Sequence, residues 1–494
     1  MNQIKRATAA IAALLTTVGA TCADLTVLYT NGEYVSSPVQ LGTFNPGEGT
    51  TCHFILTNSG SESLELTNVA PMTLSGRQTA GFALSGISTT HLAAGETASF
   101  SLSFTALAPN AHTAVVALTA FEPATTSTLS TAFSATGSGY YSNLLTETAF
   151  DLPGIGNGTA CWGDYNNDGF PDLLLSGRTA TGLFTAIYRN HNGTSLSNIS
   201  AQLPAAEVSR ADWGDYDNDG DLDLAFCGYM TNGQNTAAIY RNDGSDTFTP
   251  IDAPLAPVYG GAIRWGDSNN DGLLDLALAG FCDVSSNVTF LYINQDNDTF
   301  IDSNISFTGV RDGSLDWIDY DNDGLRDLAI SGDTTGGKIT RIYRNNGTTF
   351  TNIAAAIPGC ALGKACWTDL DVDGDTDLSL CGYGSSAPFA RLYRNVGGSV
   401  PFLRIDTNQV AAAWLGTSAW GDYDSDGDPD LLSGGISTNG TLITHLYNND
   451  GYGNLEDTGL PLPPLKQTIA AWVDINADSH LDLFLSGRNT NGAY

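Results

Sequence analysis

From about residue 150 to the end of the chain, apolar and polar positions alternate in short runs, and no stretch keeps the 3.6-residue period of an amphipathic helix. One stretch shows the pattern. Residues 159–163 and 172–177 flank an acidic loop, and the second run, Asp172-Leu173-Leu174-Leu175-Ser176-Gly177, stops at a glycine. An aromatic and β-branched run then ends in Tyr188-Arg189-Asn190, a polar turn holds Gly193, and a short run surrounds Leu196. Four short strands separated by turn residues are predicted, and the class is all-β.

This unit recurs. Trp162, Trp213, Trp265, Trp317, Trp367, Trp420 and Trp472 are spaced by 50 to 53 residues, and each precedes an acidic loop. A second marker, Tyr-x-Asn, begins at Tyr141, Tyr188, Tyr240, Tyr292, Tyr343, Tyr393 and Tyr447. A four-stranded sheet of this kind cannot bury both faces alone, so the units must stack, and seven of them predict a seven-bladed β-propeller over residues 139–494. The two markers are offset by half a repeat: Tyr141 precedes the first loop, and no Tyr-x-Asn follows the last. Residues 139–151 are therefore expected to complete the blade of Trp472, with Tyr141-Ser142-Asn143 beside Leu483-Phe484-Leu485, which removes an exposed sheet edge. A chain cut short is the competing account of the abrupt ending at Tyr494.

Each loop reads Asp-x-(Asp/Asn)-x-Asp-Gly-x-x-Asp, with side-chain oxygens at positions 1, 3, 5 and 9 and a backbone carbonyl at 7. Calcium takes six to eight oxygens at about 2.3–2.6 Å, and a glycine at position 6 allows the sharp turn. The predicted ligands are Asp164, Asn166, Asp168, Asp172; Asp215, Asp217, Asp219, Asp223; and Asp267, Asn269, Asp271, Asp275. The next three loops supply Asp319, Asp321, Asp323, Asp327; Asp369, Asp371, Asp373, Asp377; and Asp422, Asp424, Asp426, Asp430. The seventh offers Asp474, Asn476, Asp478 and Asp482 but has Ser479 in place of the glycine, so six strong calcium sites and a weaker seventh are expected. An EF-hand loop would run on to a glutamate at position 12 between helices, whereas here the last ligand opens a strand. A single such loop could be an ordinary turn; six in phase point to metal.

Composition sharpens this reading. The chain carries 19 Lys plus Arg against 53 Asp plus Glu, a net charge of −34, and 25 of those acids sit at the predicted ligand positions. Such a balance excludes a nucleic acid or an anionic membrane as partner, since phosphate surfaces need a basic footprint. Lys5 and Arg6, the apolar stretch Ala7 to Val18 and Thr21-Cys22-Ala23 read as a signal peptide over residues 1–23, which implies a secreted or cell-surface protein. Cys22 raises lipidation, although Thr21 is a poor residue before a lipidated cysteine. No later run is long enough for an integral membrane helix. The remaining cysteines, Cys52, Cys161, Cys227, Cys282, Cys360, Cys366 and Cys381, are odd in number, and a local disulfide within the last three fits their spacing. Without CxxC, and with six scattered histidines, zinc is not expected.

The signature Trp-Gly-Asp-Tyr-Asp-x-Asp-Gly-x-x-Asp-Leu closely resembles the FG-GAP/VCBS repeats of integrin-α-like propellers, in which calcium sits in hairpin loops. The resemblance implies calcium ligation at the positions named above. The Phe-Gly and Gly-Ala-Pro elements are mostly missing and there is no Arg-Gly-Asp, so integrin-style recognition does not transfer. Residues 24–138 lack acidic loops. From Leu41-Gly42-Thr43-Phe44 through Thr57-Asn58-Ser59-Gly60, Leu92-Ala93-Ala94-Gly95-Glu96 and Phe100 to Phe104, they resemble a Hydin-type, choice-of-anchor Ig-like β-sandwich, with Gly137-Ser138-Gly139 as the joint.

No catalytic constellation is visible. His53, His91 and His112 fall in the first segment, and His191, His445 and His480 in different repeats, with no nucleophile elbow or metal-His motif. Gly154-Ile155-Gly156-Asn157-Gly158 lacks the βαβ context of a nucleotide site. Arg189, Arg241, Arg344 and Arg394 recur at one place in the repeats, which points to architecture. The expectation is a binding or adhesion module for a protein or glycan and not an enzyme. The alternatives are a polysaccharide-acting enzyme of lyase type, which would need a non-repeating cluster of basic and acidic residues on one face, and a purely structural scaffold.

Overall fold

The computed structural model describes residues 25–29, 39–44, 49–59, 62–66, 72–75, 82–85, 87, 89, 91–105, 111–122, 127–139, 145, 148 and 150–492 apart from 283–285, 399–400 and 406–409. All regular elements among them are strands. The chain divides into two compact units, Met1–Leu144 and Leu145–Tyr494. The expected signal peptide and Tyr141-Ser142-Asn143 lie outside the described residues.

The first unit holds two sheets. One runs Leu25–Tyr29, Gly49–Asn58, Thr97–Thr105, Phe82–Leu84, all antiparallel. Its strands obey the two-residue period of a half-buried sheet: Ala98, Phe100, Leu102 and Phe104 are buried, while Thr97, Ser99 and Thr105 are exposed. Phe54 stacks on Phe100 with ring centroids 5.1 Å apart. The second sheet runs Val39–Phe44, Ser127–Gly139, Ala111–Glu122, Leu64–Glu65, His91–Leu92, and Met72–Ser75 also pairs with Ala111–Glu122. Gly137-Ser138-Gly139 is not a bare joint. It lies in strand Ser127–Gly139, where it pairs in parallel with Gly42–Phe44, and Gly137 and Ser138 pair on the other side with His112 and Ala111. Glycines and serine satisfy a ladder as well as any residue, and their composition hid this.

In the second unit, the first repeat forms a meander of Gly156–Gly163, Asp172–Arg178, Leu183–Asn190 and Leu196–Asn198. Repeats two to six have the same four strands, opening with Ala206–Gly214, Val258–Gly266, Arg311–Ile318, Ala361–Thr368 and Ala413–Gly421. The seventh shows Lys466–Val473 and Asp482–Arg488 among the described residues. Every first strand carries a bulge, seen as a register shift between Gly156 and Thr159 or Glu207 and Arg210. The extra residue is left-handed, at φ 57° for Asn157, 49° for Val208, 52° for Asp312 and 53° for Leu362.

First strands of successive repeats lie side by side, and that of the seventh lies beside that of the first. No sheet closes on itself. Second strands are sandwiched between neighbours, which is why Leu173-Leu174-Leu175 reads as an unbroken apolar run: all three are fully buried. Burying one such leucine contributes about 1.5–3 kcal/mol. Tyr165, Leu174 and Ile187 of the first repeat share a core with Ala211, Leu224, Phe226 and Phe248 of the second. Ile155, Leu173 and Leu175 share one with Ile469 of the seventh, where Trp162 meets Phe484 edge-on at 5.7 Å. The Trp-Gly pair is explained by contact between repeats, since a Cβ at Gly214 would stand 2.6 Å from the Trp265 ring.

Candidate metal centre

Each acidic loop joins the first strand of its repeat to the second, and its shape is set by carboxylates holding backbone amides. In the second repeat, Asp215 Oδ1 accepts from the Asp219 amide at 3.1 Å and Oδ2 from the Gly220 amide at 3.0 Å. Gly220 needs its missing Cβ because φ is 95°. Position 9 is the buried anchor. Asp223 Oδ2 accepts from the Tyr216 amide at 3.2 Å, and Oδ1 accepts from the Asn242 amide of the third strand at 2.8 Å. The same pair of bonds occurs at Asp172, Asp275, Asp327, Asp377 and Asp430, all fully buried.

Carboxylate oxygens of Asp215, Asp217 and Asp223 lie within 4.8 Å of one another, as do those of Asp319, Asp321, Asp327, of Asp369, Asp371, Asp377 and of Asp422, Asp424, Asp430. Positions 1, 3 and 9 thus converge in four loops, which could hold a metal ion. Position 5 stays outside these groups: Asp219 Oδ1 accepts the Asp221 amide at 2.9 Å, and Asp168, Asp271, Asp323, Asp373, Asp426 and Asp478 do likewise. In the first, third and seventh loops position 3 is Asn166, Asn269 or Asn476, which removes one of the three converging carboxylates.

The donor set fits a hard divalent cation. Asp321 Oδ1 is buried without a hydrogen-bond partner, although Oδ2 meets Arg344 Nε at 2.8 Å. A buried anionic oxygen left bare is costly unless a cation completes it. Burial and the neighbouring carboxylates push position 9 upward: to about 7 for Asp172, Asp223 and Asp377, about 6 for Asp327 and about 9 for Asp430. Crowded carboxylates of this kind repel one another unless a positive charge sits among them.

The seventh loop keeps its shape without glycine. Ser479 adopts φ 70°, and its amide still reaches Asp474 Oδ2 at 2.7 Å. Asp482 is half-buried, unlike its six counterparts, so its surroundings differ.

Two recurring asparagines join the loops, and the sequence reading passed over both roles. At position 4, Asn167 is left-handed and donates to Gly220 O at 3.0 Å and Asp221 Oδ1 at 2.8 Å; Asn218, Asn270 and Asn322 reach the following loop in the same way. The asparagine of Tyr-x-Asn reaches the preceding loop. Asn242 Nδ2 donates to Tyr165 O at 2.8 Å, and Asn294, Asn345, Asn395 and Asn449 donate to Tyr216, Ser268, Tyr320 and Leu370. The repetition of these asparagines was the available signal.

The four arginines are architectural. Arg189 pairs with Asp246 and Arg241 with Asp298 of the next repeat, while Arg344 and Arg394 meet Asp321 and Asp371 in their own loops. The expected disulfide is absent. Cys360, Cys366 and Cys381 are buried thiols; Cys366 Sγ donates to Ser418 O and Cys381 Sγ to Ala413 O, so their partners lie across the next seam.

First strands are less uniform than the loops. Arg210, Asp212, Arg264, Asp312, Asp316 and Lys364 fall on them in repeats two to five, and Ala419 and Ala471 take the place of Asp212 and Asp316 in repeats six and seven. Arg264 stands between Asp212 Oδ1 at 3.7 Å and Asp316 Oδ1 at 3.8 Å. A non-repeating cluster of acids and bases is therefore present.

The profile of the FG-GAP-like repeat matches residues 164–226, 215–278 and 422–485, each beginning at a position-1 aspartate and running into the next acidic loop or second strand. The chain carries FG-GAP-like repeats. A search of the curated proteins returns no match. Among solved structures, the VesB protease of Vibrio cholerae is similar at 15% identity over 21% of this chain and 31% of its own, with a TM-score of 0.17. The PapD-like domain of human CEP192 is similar at 13% identity over 27% of this chain and 96% of its own, with a TM-score of 0.19. The CooA pilin subunit of enterotoxigenic Escherichia coli is similar at 13% identity over 23% and 97%, with a TM-score of 0.16. Superpositions this limited leave the architecture to the FG-GAP-like repeats themselves. No helix among the described residues is long and apolar enough to cross a membrane.

Proposed function

We propose that this is an exported calcium-binding protein whose FG-GAP-like repeats form a seven-bladed β-propeller that binds a protein or glycan partner. The observation that carries the calcium reading is the convergence of Asp319, Asp321 and Asp327, with Asp321 Oδ1 buried and bare. Asp319, Asp321 and Asp327, with a backbone carbonyl from the loop, would hold the ion, and oxygen-only donors on a flexible hairpin suit calcium above softer metals. Calcium supplies positive charge and rigidity there, and no chemical step. The adjacency of the first and last repeats supports a ring, and the two-sheet first unit is compatible with an Ig-like domain. Rigid loops on a ring make a recognition surface, and loops on a fixed scaffold are where binding residues concentrate. The test is a glycan array and a pull-down with the full chain in calcium and again in EGTA. Calcium-dependent capture of a defined ligand supports the reading; metal content of zero after dialysis against micromolar calcium would sink it.

A second reading, an enzyme acting on polysaccharide, is favoured by one feature: the mixed cluster around Arg264, Asp212 and Asp316. Loss of polymer chain length on incubation, abolished in Arg264→Ala, would establish it.

A further inference from the structure

Two seams of the second unit are stitched by a side chain five residues before the third-strand tyrosine. Asn235 Nδ2 donates to Phe281 O at 3.1 Å, and Asn287 Nδ2 donates to Asp333 O at 2.8 Å. At the next seam the same place is Lys338, and the residue it faces is Tyr383. Lys338 forms no such stitch; its Nζ stands 5.4 Å from the Tyr383 ring centroid. A cavity of about 350 Å³ opens there, lined by Lys338, Gly359, Ser385, Ser386, Phe389 and Arg391 among others.

The lining holds two cations and no carboxylate, in a chain with 53 acidic and 19 basic residues. Arg391 is held over the Phe389 ring at 5.1 Å. Both positive groups are steadied by aromatic faces and neither has an acidic partner among the described residues, so the site is prepared for an anion. The arrangement does not repeat. Arg391's place is Ala186, Ala238, Phe290, Arg341 or His445 in other repeats, and Arg341 is already bonded to Thr308 Oγ1. Lys338's place is Leu183, Asn235, Asn287, Pro388 or Leu442. Two glycines shape the walls: a Cβ at Gly359 would stand 1.9 Å from Lys338 O, and one at Gly384 would press the Phe389 ring at 3.0 Å.

We propose that this seam binds a single hexuronate residue, with Arg391 and Lys338 on its carboxylate, the half-buried Phe389 ring against an apolar sugar face, and the Ser385 and Ser386 hydroxyls on its hydroxyl groups. The inference rests on the binding-module reading and names its ligand class. The volume lies at the low end of small-molecule sites, about 300–1,000 Å³, which seats one ring. A singly charged sugar also meets less repulsion from a protein of net charge −34 than a nearly doubly charged sugar phosphate.

The experiment is calorimetric titration of the calcium-loaded full chain with glucuronate, galacturonate, glucose and acetate. A uronate should bind while glucose and acetate do not. Arg391→Ala should weaken binding at least about tenfold, the loss expected for one charge-assisted contact. Lys338→Asn, which restores the stitch of the two preceding seams, should weaken it likewise with no loss of melting temperature. Equal binding of acetate and uronate, uronate binding unchanged in both variants, or no uronate binding overturns the proposal. If the array ligand is retained in Arg391→Ala, the binding-module reading stands and this pocket is not its site.

Discussion

The side-chain amide of Asn190 donates to the carbonyl of Ile475 at 2.8 Å, across 285 positions of sequence. It is the bond that Asn242 makes to Tyr165 and Asn294 makes to Tyr216, carried from the first repeat to the last. Repeats one and seven are thus joined by the device that joins internal neighbours. Replacing Asn242 by alanine removes its bonds to Tyr165 O and Leu222 O and strands buried carbonyls. A loss of about 2 kcal/mol is expected in denaturant unfolding. Asn190→Ala should cost a similar amount. If it costs nothing while Asn242→Ala does, the first and last repeats do not depend on each other.

Chelation should separate the two units. A ligand that binds only the folded state stabilises it by about 2.7 kcal/mol per site at a hundredfold excess over Kd. EGTA should therefore lower the melting of the FG-GAP-like unit steeply, and magnesium should restore little of it. The first unit has no acidic loops and should keep its own transition. A shift of less than a few degrees would remove the case for calcium as a staple.

Ser479 offers a gain of function. Its φ of 70° lies where a side chain costs about 1–2 kcal/mol, and Ser479→Gly should relieve that and tighten the seventh site. Asp217→Ala deletes one of three converging carboxylates and should remove one calcium from the titrated total, whereas Asn476→Ala at the same place in the seventh loop should do less. Calcium stoichiometry and thermal melting of the three variants check both claims.

Acidity should act in opposite directions with and without metal. Asp172, Asp223 and Asp377 are raised to about 7 and Asp430 to about 9, from an ordinary 3.8, chiefly by burial. A raised folded-state value stabilises the fold fully below the unfolded value and loses that contribution as pH climbs through the folded one. The metal-free unit should accordingly melt lower at pH 8 than at pH 5. With calcium the trend reverses, because protons compete for the same oxygens. Melting curves at both pH values, with EGTA or calcium, test the sign.

Much of the second unit was legible because its chemistry is local. A position-1 aspartate and a position-6 glycine lie within one loop, so spacing alone places Asp215 against the Gly220 amide. Period-2 burial likewise marks Thr97–Thr105. What stayed hidden crosses seams. Asn242 meets Tyr165 over 77 positions, and Tyr-x-Asn was visible as a repeat without its purpose. Lys338 and Arg391 come from neighbouring repeats and line one cavity at a seam without the asparagine stitch, and neither residue is unusual where it stands. The bulge residues Asn157, Val208, Leu362 and Gln467 share a left-handed backbone but no side-chain chemistry, so no pattern announces them. The cysteines misled for the same reason: near neighbours in sequence, Cys366 and Cys381 both turn their thiols across the seam to strand Ala413–Gly421 of the next repeat.

One arrangement runs through the acidic loops as a relay. In the first six, a buried aspartate such as Asp223 grips its own loop at the Tyr216 amide and its own third strand at the Asn242 amide; that asparagine's side chain then grips the carbonyl of Tyr165, whose amide is held by Asp172. Tension in one loop is therefore felt in the one before it. An ion drawn into any loop would stiffen its neighbours, and filling would follow the logic of a zip fastener more than that of separate locks. The molecule would stay slack where calcium is scarce and set abruptly where it is plentiful, with the dissolved ion acting as the hardener.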